Sequence, residues 1–358
     1  MHMGREDNHM DGKMKTICKF GLILAMAAVS LSCLMAVSIY TDTGGSDASP
    51  PTIIEDEFLE YEQTGSELKV IDVTEGFDNA SDLDLVIPKT VQGLNVTKIS
   101  NNVFDGANNL KSVTMEGITE IGMYTFKDCT LLESVSMPSI STINDFAFNN
   151  CKNLKQIDLG NLTTIGRGAF FHAGLESVTV PSSLTTWSEI GNKGVFENCG
   201  ELKSAVFEDG CKKIGAGAFA GCASLMSVIL PESITEIKND AFRYCVLLTS
   251  VKANNVTIAD ENLFSDCTNL IHVEMNSLTV IKSGVFRNCS KLTSYYVPDG
   301  VTSIGDESFQ NCSSLGAISV PNTVKMIGNN IFKYCTLLKT VSIRVTTDEI
   351  GTDTILSN

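Results

Sequence analysis

The chain has 358 residues, enough for two ordinary domains or one long repeat array, and at 43% hydrophobic it can bury a sizeable core. Only 7% of residues are aromatic, so that core is expected to be mainly aliphatic. A formal charge of −16 excludes a nucleic-acid backbone as the natural partner, because phosphate binding needs clustered Lys and Arg.

Residues 1–19 are polar and carry Lys13, Lys15 and Lys19 just ahead of an apolar run; Met14 is an alternative initiator. Residues 20–40 contain no charged side chain, and this 21-residue stretch matches one bilayer crossing at about 1.5 Å per residue. It reads as a transmembrane anchor or as a signal peptide. Small residues around Ala27-Ala28 and Ser30-Leu31-Ser32 offer cleavage points, and Cys33 offers a lipoprotein site. Either way the basic side stays inside and the rest of the chain lies outside. Contact with the membrane is expected through residues 20–40.

Residues 41–52 form a polar linker ending at Pro50-Pro51, and residues 53–84 an acidic first cap with a strand-like Leu68–Val73. Residues 41–84 hold 13 Asp or Glu against one Lys, Lys69. That excess is a solvated, self-repelling segment. Glu55, Asp56 and Glu57 lack the alternating ligand spacing of a calcium loop.

From residue 85 to 343 one pattern repeats. It is marked by Phe104, Phe126, Phe148, Phe170, Phe196, Phe219, Phe242, Phe264, Phe286, Phe309 and Phe332, with steps of 22 or 23 residues apart from one of 26. All eleven are expected in the core. Around each runs Ile-Gly-x-x-Ala-Phe-x-x-Cys-x-x-Leu-x-x-Val-x-Ile-Pro, then a turn and Val-Thr-x-Ile. Ile214–Pro231 shows the frame whole. The alternation in Leu-x-x-Val-x-Ile predicts a short strand, stopped by Pro138, Pro181, Pro231, Pro298 and Pro321. The Ala-Phe-x-x-Cys stretch predicts one helical or 3₁₀ turn. A 22-residue unit cannot bury its apolar side alone, so the units must stack. The expected fold is an α/β repeat solenoid: a right-handed coil of about eleven 22–23-residue units, with parallel strands on one face and helical or 3₁₀ turns on the other.

This frame resembles the BspA-like leucine-rich-repeat family, and Val86–Ile99 is similar to that family's first unit. The resemblance implies a surface or secreted protein, several members being adhesins. It does not name a ligand.

Nine cysteines stand three residues after the repeat Phe: Cys129, Cys151, Cys199, Cys222, Cys245, Cys267, Cys289, Cys312 and Cys335. Equivalent positions in neighbouring coils point the same way, about 4.8 Å apart. A disulfide needs converging β-carbons at about 3.8 Å. The column therefore reads as small buried hydrophobes without thiol chemistry, and Ala107 and Ala173 fill the same slot. No Cys-x-x-Cys pair suggests a metal, and no cofactor is expected. Catalytic arrangements are equally thin. His172 and His272 lie in the array, a Cys267–His272 pair has nothing to activate its thiol, and Asp82 with Asp84 sits in an acidic run. The chain is not expected to be an enzyme.

Binding is expected on the outward strand positions. The column Thr114, Ser136, Asp158, Thr179, Val206, Ile229, Lys252, Glu274, Tyr296, Ser319 and Ser342 varies on a fixed frame. Val206 and Ile229, followed by Lys252, Glu274 and Tyr296, form the candidate contact strip. The long step between Leu175 and Phe196 carries Trp187, the single Trp, in residues expected to bulge; it is either a second binding candidate or folds back to cover an interrupted core. Six Asn-x-Ser/Thr sequons occur, at Asn79, Asn95, Asn161, Asn255, Asn288 and Asn311. Residues 344–358 read as a short C-terminal cap or tail. The expected role is an extracellular protein-binding or adhesion module, with a protein or glycan on a host or neighbouring cell as partner. The alternatives are a self-associating surface component and, remotely, an enzyme.

Overall fold

The computed structural model describes residues 51–188, 193–343 and, for the backbone, 349–350. Expectations placed on 1–19, 20–40, most of 41–52, the middle of the long insert and most of 344–358 lie outside the described residues. Among those described, no helix is long and apolar enough to cross a membrane.

Each Phe-centred unit is one coil. Its Leu-x-x-Val-x-Ile end lies parallel to the same segment one coil on, in register: Ser177 faces Ser204, which faces Ser227. The Val-Thr-x-Ile end forms a second parallel stack of two-residue strands. Ile121, Ile143, Ile165 and Trp187 are successive register partners there, and Ile281, Ile304 and Ile327 are partners further along. The solenoid therefore has two strand faces where one was expected.

The expected helical or 3₁₀ face is not formed. The one α-helix among the described residues is Glu75–Asn79, and the Ala-Phe-x-x-Cys segments are turns. Backbone handedness is the reason. In every coil the residue two places after the Phe has positive φ, as at Asp128 (58°), Asn150 (62°) and Asn288 (61°). The residue two places before it is also left-handed, except Gly194. A right-handed helix cannot pass through such residues. Their N–H groups are spent elsewhere. Tyr124, Phe126 and Asp128 donate to the carbonyls of Asp145, Ala147 and Asn149 in the next coil, at 3.0, 2.7 and 2.8 Å. Asn262, Phe264 and Asp266 repeat this with Ser283, Val285 and Arg287. The turn face is thus a third inter-coil ladder, which satisfies the buried backbone without a helix.

All eleven repeat phenylalanines are buried. Consecutive rings lie 5.0 to 5.9 Å apart, most of them nearly parallel, such as Phe148 on Phe170 with planes 2° apart. Phe332 departs from the uniform column that the repeat predicts. Its ring is tilted 31° against Phe309 at 5.9 Å, and it is 5% exposed where the other ten are sealed. Among the described residues no repeat ring follows it.

The nine repeat cysteines are buried and unpaired. Each thiol donates to the carbonyl of the preceding coil's Phe, from Cys129 on Phe104 to Cys335 on Phe309, both at 3.0 Å. The reading of these residues as buried hydrophobes thus needs one correction. Their sulfur is unreactive, but it also supplies a donor that Ala cannot.

Before the array, strands Leu59–Thr64 and Glu67–Val73 pair antiparallel, and the second runs parallel to Leu94–Ile99 of the first coil. Asp56 accepts from the backbone N–H groups of Phe58 and Leu59 and from the Tyr61 hydroxyl, so this acid ties down a turn. Phe77, on the short helix, lies 5.5 Å from Phe104 at a tilt of 43° and ends the ring column.

A hole at one ring is felt by three coils. Phe242→Ala is expected to cost roughly 3–5 kcal/mol of unfolding free energy in urea titration. A loss below about 1 kcal/mol would contradict a shared ring column.

Candidate functional site

The strand alternation that buries the Val of Leu-x-x-Val-x-Ile forces the flanking residues outward. Here Ala205, Val251, Val273 and Tyr295 occupy the inner slot and are buried. Thr179, Val206 and Ile229 are register partners on three successive strands, Ser177–Val180, Ser204–Phe207 and Ser227–Ile229. Val206 is half-buried and Ile229 is 60% exposed. Lys252 and Glu274 face each other on the next pair, with Nζ and carboxylate 4.0 Å apart. His272 Nε2 lies 3.1 Å from Glu274 Oε1. The His272 hydrogen bond, with help from Lys252, holds the Glu274 carboxyl below its usual range. Tyr296 is 63% exposed, in register with Ser319 and Ser342. The nearby Asp299 carboxylate raises its phenol. Five of the six candidate residues thus stand on one outward line, broken into three hydrogen-bonded strand groups.

Trp187 does not. It is 4% exposed and sits in the inward Ile slot of the second strand stack, opposite Ile165. Of the extra residues expected to bulge, 189–192 lie outside the described residues. The next coil makes room: a β-carbon at Gly215 would come within 2.9 Å of the Trp187 side chain. Its indole N–H is buried with no hydrogen-bond partner.

Met226 was missed. It is 51% exposed, just before the strand that carries Ile229. Its position one past the repeat Leu holds Glu133, Lys155, Glu176, Lys203 and Lys339 in other coils, which was the available signal, and Ile271, 47% exposed, is a second apolar residue there. Met226, Ile229 and Val206 together give the outward face an apolar spot amid polar coils.

The residues weighed for catalysis are spent on structure. The Cys267 thiol is buried and donates to Phe242 O at 3.0 Å, while the exposed His272 turns to Glu274, so the pair is not made. Asp84 accepts from the Ser112 hydroxyl at 2.5 Å. Burial pushes the Cys129 and Cys199 thiols up to about 12 and Cys335 to about 11. Thiols held protonated in this way are poor nucleophiles and poor metal ligands. Among the described residues no group of three or more His, Cys, Asp or Glu is placed to hold a metal ion.

Parallel coils of 22–23 residues around a Leu, Val, Ile and Phe core define a leucine-rich-repeat solenoid. The chain belongs to the BspA type leucine-rich-repeat family, whose model matches in six copies over residues 75–191, 188–316 and 302–357. Comparison with curated proteins gives no match. Among solved structures it is similar to a leucine-rich repeat protein from Bacteroides ovatus ATCC 8483, at 24% identity and a TM-score of 0.53, over 82% of this chain and 89% of that one. It is also similar to the pneumococcal vaccine antigen PcpA, at 17% identity and a TM-score of 0.50, over 86% and 91% of the two chains. At these identities the likeness is one of fold.

Buried thiols make the fold alkali-sensitive. The ordinary thiol value is 9.0, and burial raises it in the folded state. Their contribution to stability is therefore full below pH 9 and is lost as pH climbs towards the folded values near 12. The urea midpoint is expected to fall steeply between about pH 9 and 11, and less steeply in Cys245→Ala. A midpoint flat across that range would contradict the buried-thiol column.

Proposed function

We propose that this chain is a binding module displayed outside the cell, and that it attaches to a protein or glycan on another surface through the outward strand face. Family membership supports a surface or secreted role, since the frame is that of BspA type repeats. The N-terminal run at 20–40, uncharged and preceded by three lysines, supports presentation by a membrane segment. One observation carries the reading: on the outward strand face Ile229 and Tyr296 stand 60% and 63% exposed, with Met226 at 51% beside Ile229, and Val86 and Ile271 at 67% and 47% elsewhere along it. Exposed apolar and aromatic side chains on a rigid frame are what binding hot spots are made of.

Ile229→Lys and Tyr296→Lys alter side chains that the core does not use, so the thermal midpoint should not move. Each is expected to weaken capture of the partner at least tenfold in cell-surface binding assays against matrix and epithelial proteins and neighbouring microbes. Unchanged capture by the double variant would remove this face from the account. Ordered filaments or sheets of purified protein, lost in the same variants, would favour self-association.

A further inference from the structure

The turn face carries four outward positions per coil: three and two places before the Phe, and one and two places after it. In the coil centred on Phe219 all four are stripped to Ala216, Gly217, Ala220 and Gly221. The coil before it presents Lys193, Glu197 and Asn198, and the coil after it Asn239, Asp240, Arg243 and Tyr244. The result is a groove of about 520 Å³ crossing the turn face, lined by these residues and Ser188. That volume lies within the range of small-molecule sites. The core rings beneath step by 5.2 Å and 5.6 Å, so the two walls stand two coil steps apart.

We propose that this groove is a binding site for a neutral oligosaccharide. The charges on its walls cancel in place: Lys193 pairs with Glu197 at 3.1 Å and Arg243 with Asp240 at 3.5 Å. Among the described lining residues the formal charges sum to zero, which favours neither an anion nor a cation. The floor offers no anion nest, because its left-handed N–H groups are already spent, Gly217 on Asn239 O at 2.9 Å and Gly221 on Arg243 O at 2.7 Å. Nor can a peptide add as a strand there, because the Ala218 and Ala220 carbonyls already accept from Phe196 and Asn198. What the walls offer is amides, carboxylates and a guanidinium with spare donors and acceptors, suited to ring hydroxyls. The Asn198 amide leans over the floor: a β-carbon at Gly221 would lie 2.1 Å from its Oδ1. Arg243 Nε is shielded and unpaired. Tyr244 is 46% exposed, with the Arg243 guanidinium 4.7 Å from its ring centre and bonded to its hydroxyl at 3.2 Å. That contact holds a half-exposed aromatic ring in the groove lining, the kind of surface on which the apolar face of a sugar packs.

Two substitutions test this without disturbing the frame. Ala220→Arg fills the groove with the residue that Arg243 and Arg287 place at the same position. Tyr244→Asn removes the platform and installs the residue that Asn150, Asn198, Asn288 and Asn311 carry at this left-handed site. The full-length protein is titrated calorimetrically with hexasaccharides of α-glucan, β-glucan, mannan and galactan, with heparin as charged probe and an extended Ala/Ser heptapeptide as peptide probe. At least one neutral hexasaccharide is expected to bind. Each variant should weaken it tenfold or more at an unchanged thermal midpoint, while Ile229→Lys on the strand face leaves it unaltered. The proposal is overturned if none of the four hexasaccharides binds, if only heparin or the heptapeptide binds, or if both variants stay within twofold of the parent.

Discussion

The structure depends on a single residue used three ways. In each coil from Phe126 to Phe309 the Phe ring rests on the rings before and after it at 5.0 to 5.9 Å. Its N–H crosses to the next coil, as Phe264 does to Val285 O at 2.9 Å. Where the next coil carries the Cys, its carbonyl accepts that thiol, as Phe264 O does from Cys289 at 3.2 Å. The Phe carbonyl also accepts the N–H three residues on in its own coil, but its ring and its N–H are completed only by other coils, so each coil is stable only between neighbours. The left-handed residues two places from the Phe follow from the same constraint, since they turn the N–H groups along the array rather than back into the coil.

Because the frame is held from within, the outside is free to vary. Much of that variation is electrostatic tidying between coils: Lys127 meets Asp105 at 3.2 Å, Lys282 meets Asp260 at 2.6 Å and Arg287 meets Glu307 at 3.2 Å. Half-exposed pairs of this kind contribute little stability, commonly about 0–1 kcal/mol. They do keep the faces near neutral. Against that background the departures stand out, namely the apolar spot at Met226 and Ile229 on the strand face and the stripped coil at Ala216–Gly221 on the turn face.

The repeat, its core columns and the outward line from Val206 to Tyr296 were legible in the sequence, because a fixed period places every equivalent residue in the same environment. The turn chemistry was legible too, yet went unread. Two places after the Phe the chain puts Gly106, Asp128, Asn150, Asn198, Gly221, Asp266, Asn288 and Asn311, the residue types that tolerate positive φ. A helical turn cannot be written with them. Trp187 was misplaced by counting the insert from the wrong end. Leu184-Thr185-Thr186-Trp187 repeats Leu162-Thr163-Thr164-Ile165, so the Trp takes the Ile slot and the extra residues follow it. The thiol-to-carbonyl bond had no sequence signal beyond the choice of Cys over Ala, because which carbonyl lies within reach of the thiol becomes visible only once the turn is known.

Turn amides ordinarily exchange with solvent through small local openings, whereas amides locked between coils exchange only when the array opens. Native-state hydrogen exchange of the Phe126, Phe148, Phe242, Phe264 and Phe286 N–H groups therefore tests the central claim most directly. The account predicts protection equal to that of Val178 and Ile318 in the strands, falling together with them as urea is added. Exchange of those five amides at the rate of open turns, while the strands stay protected, would contradict it.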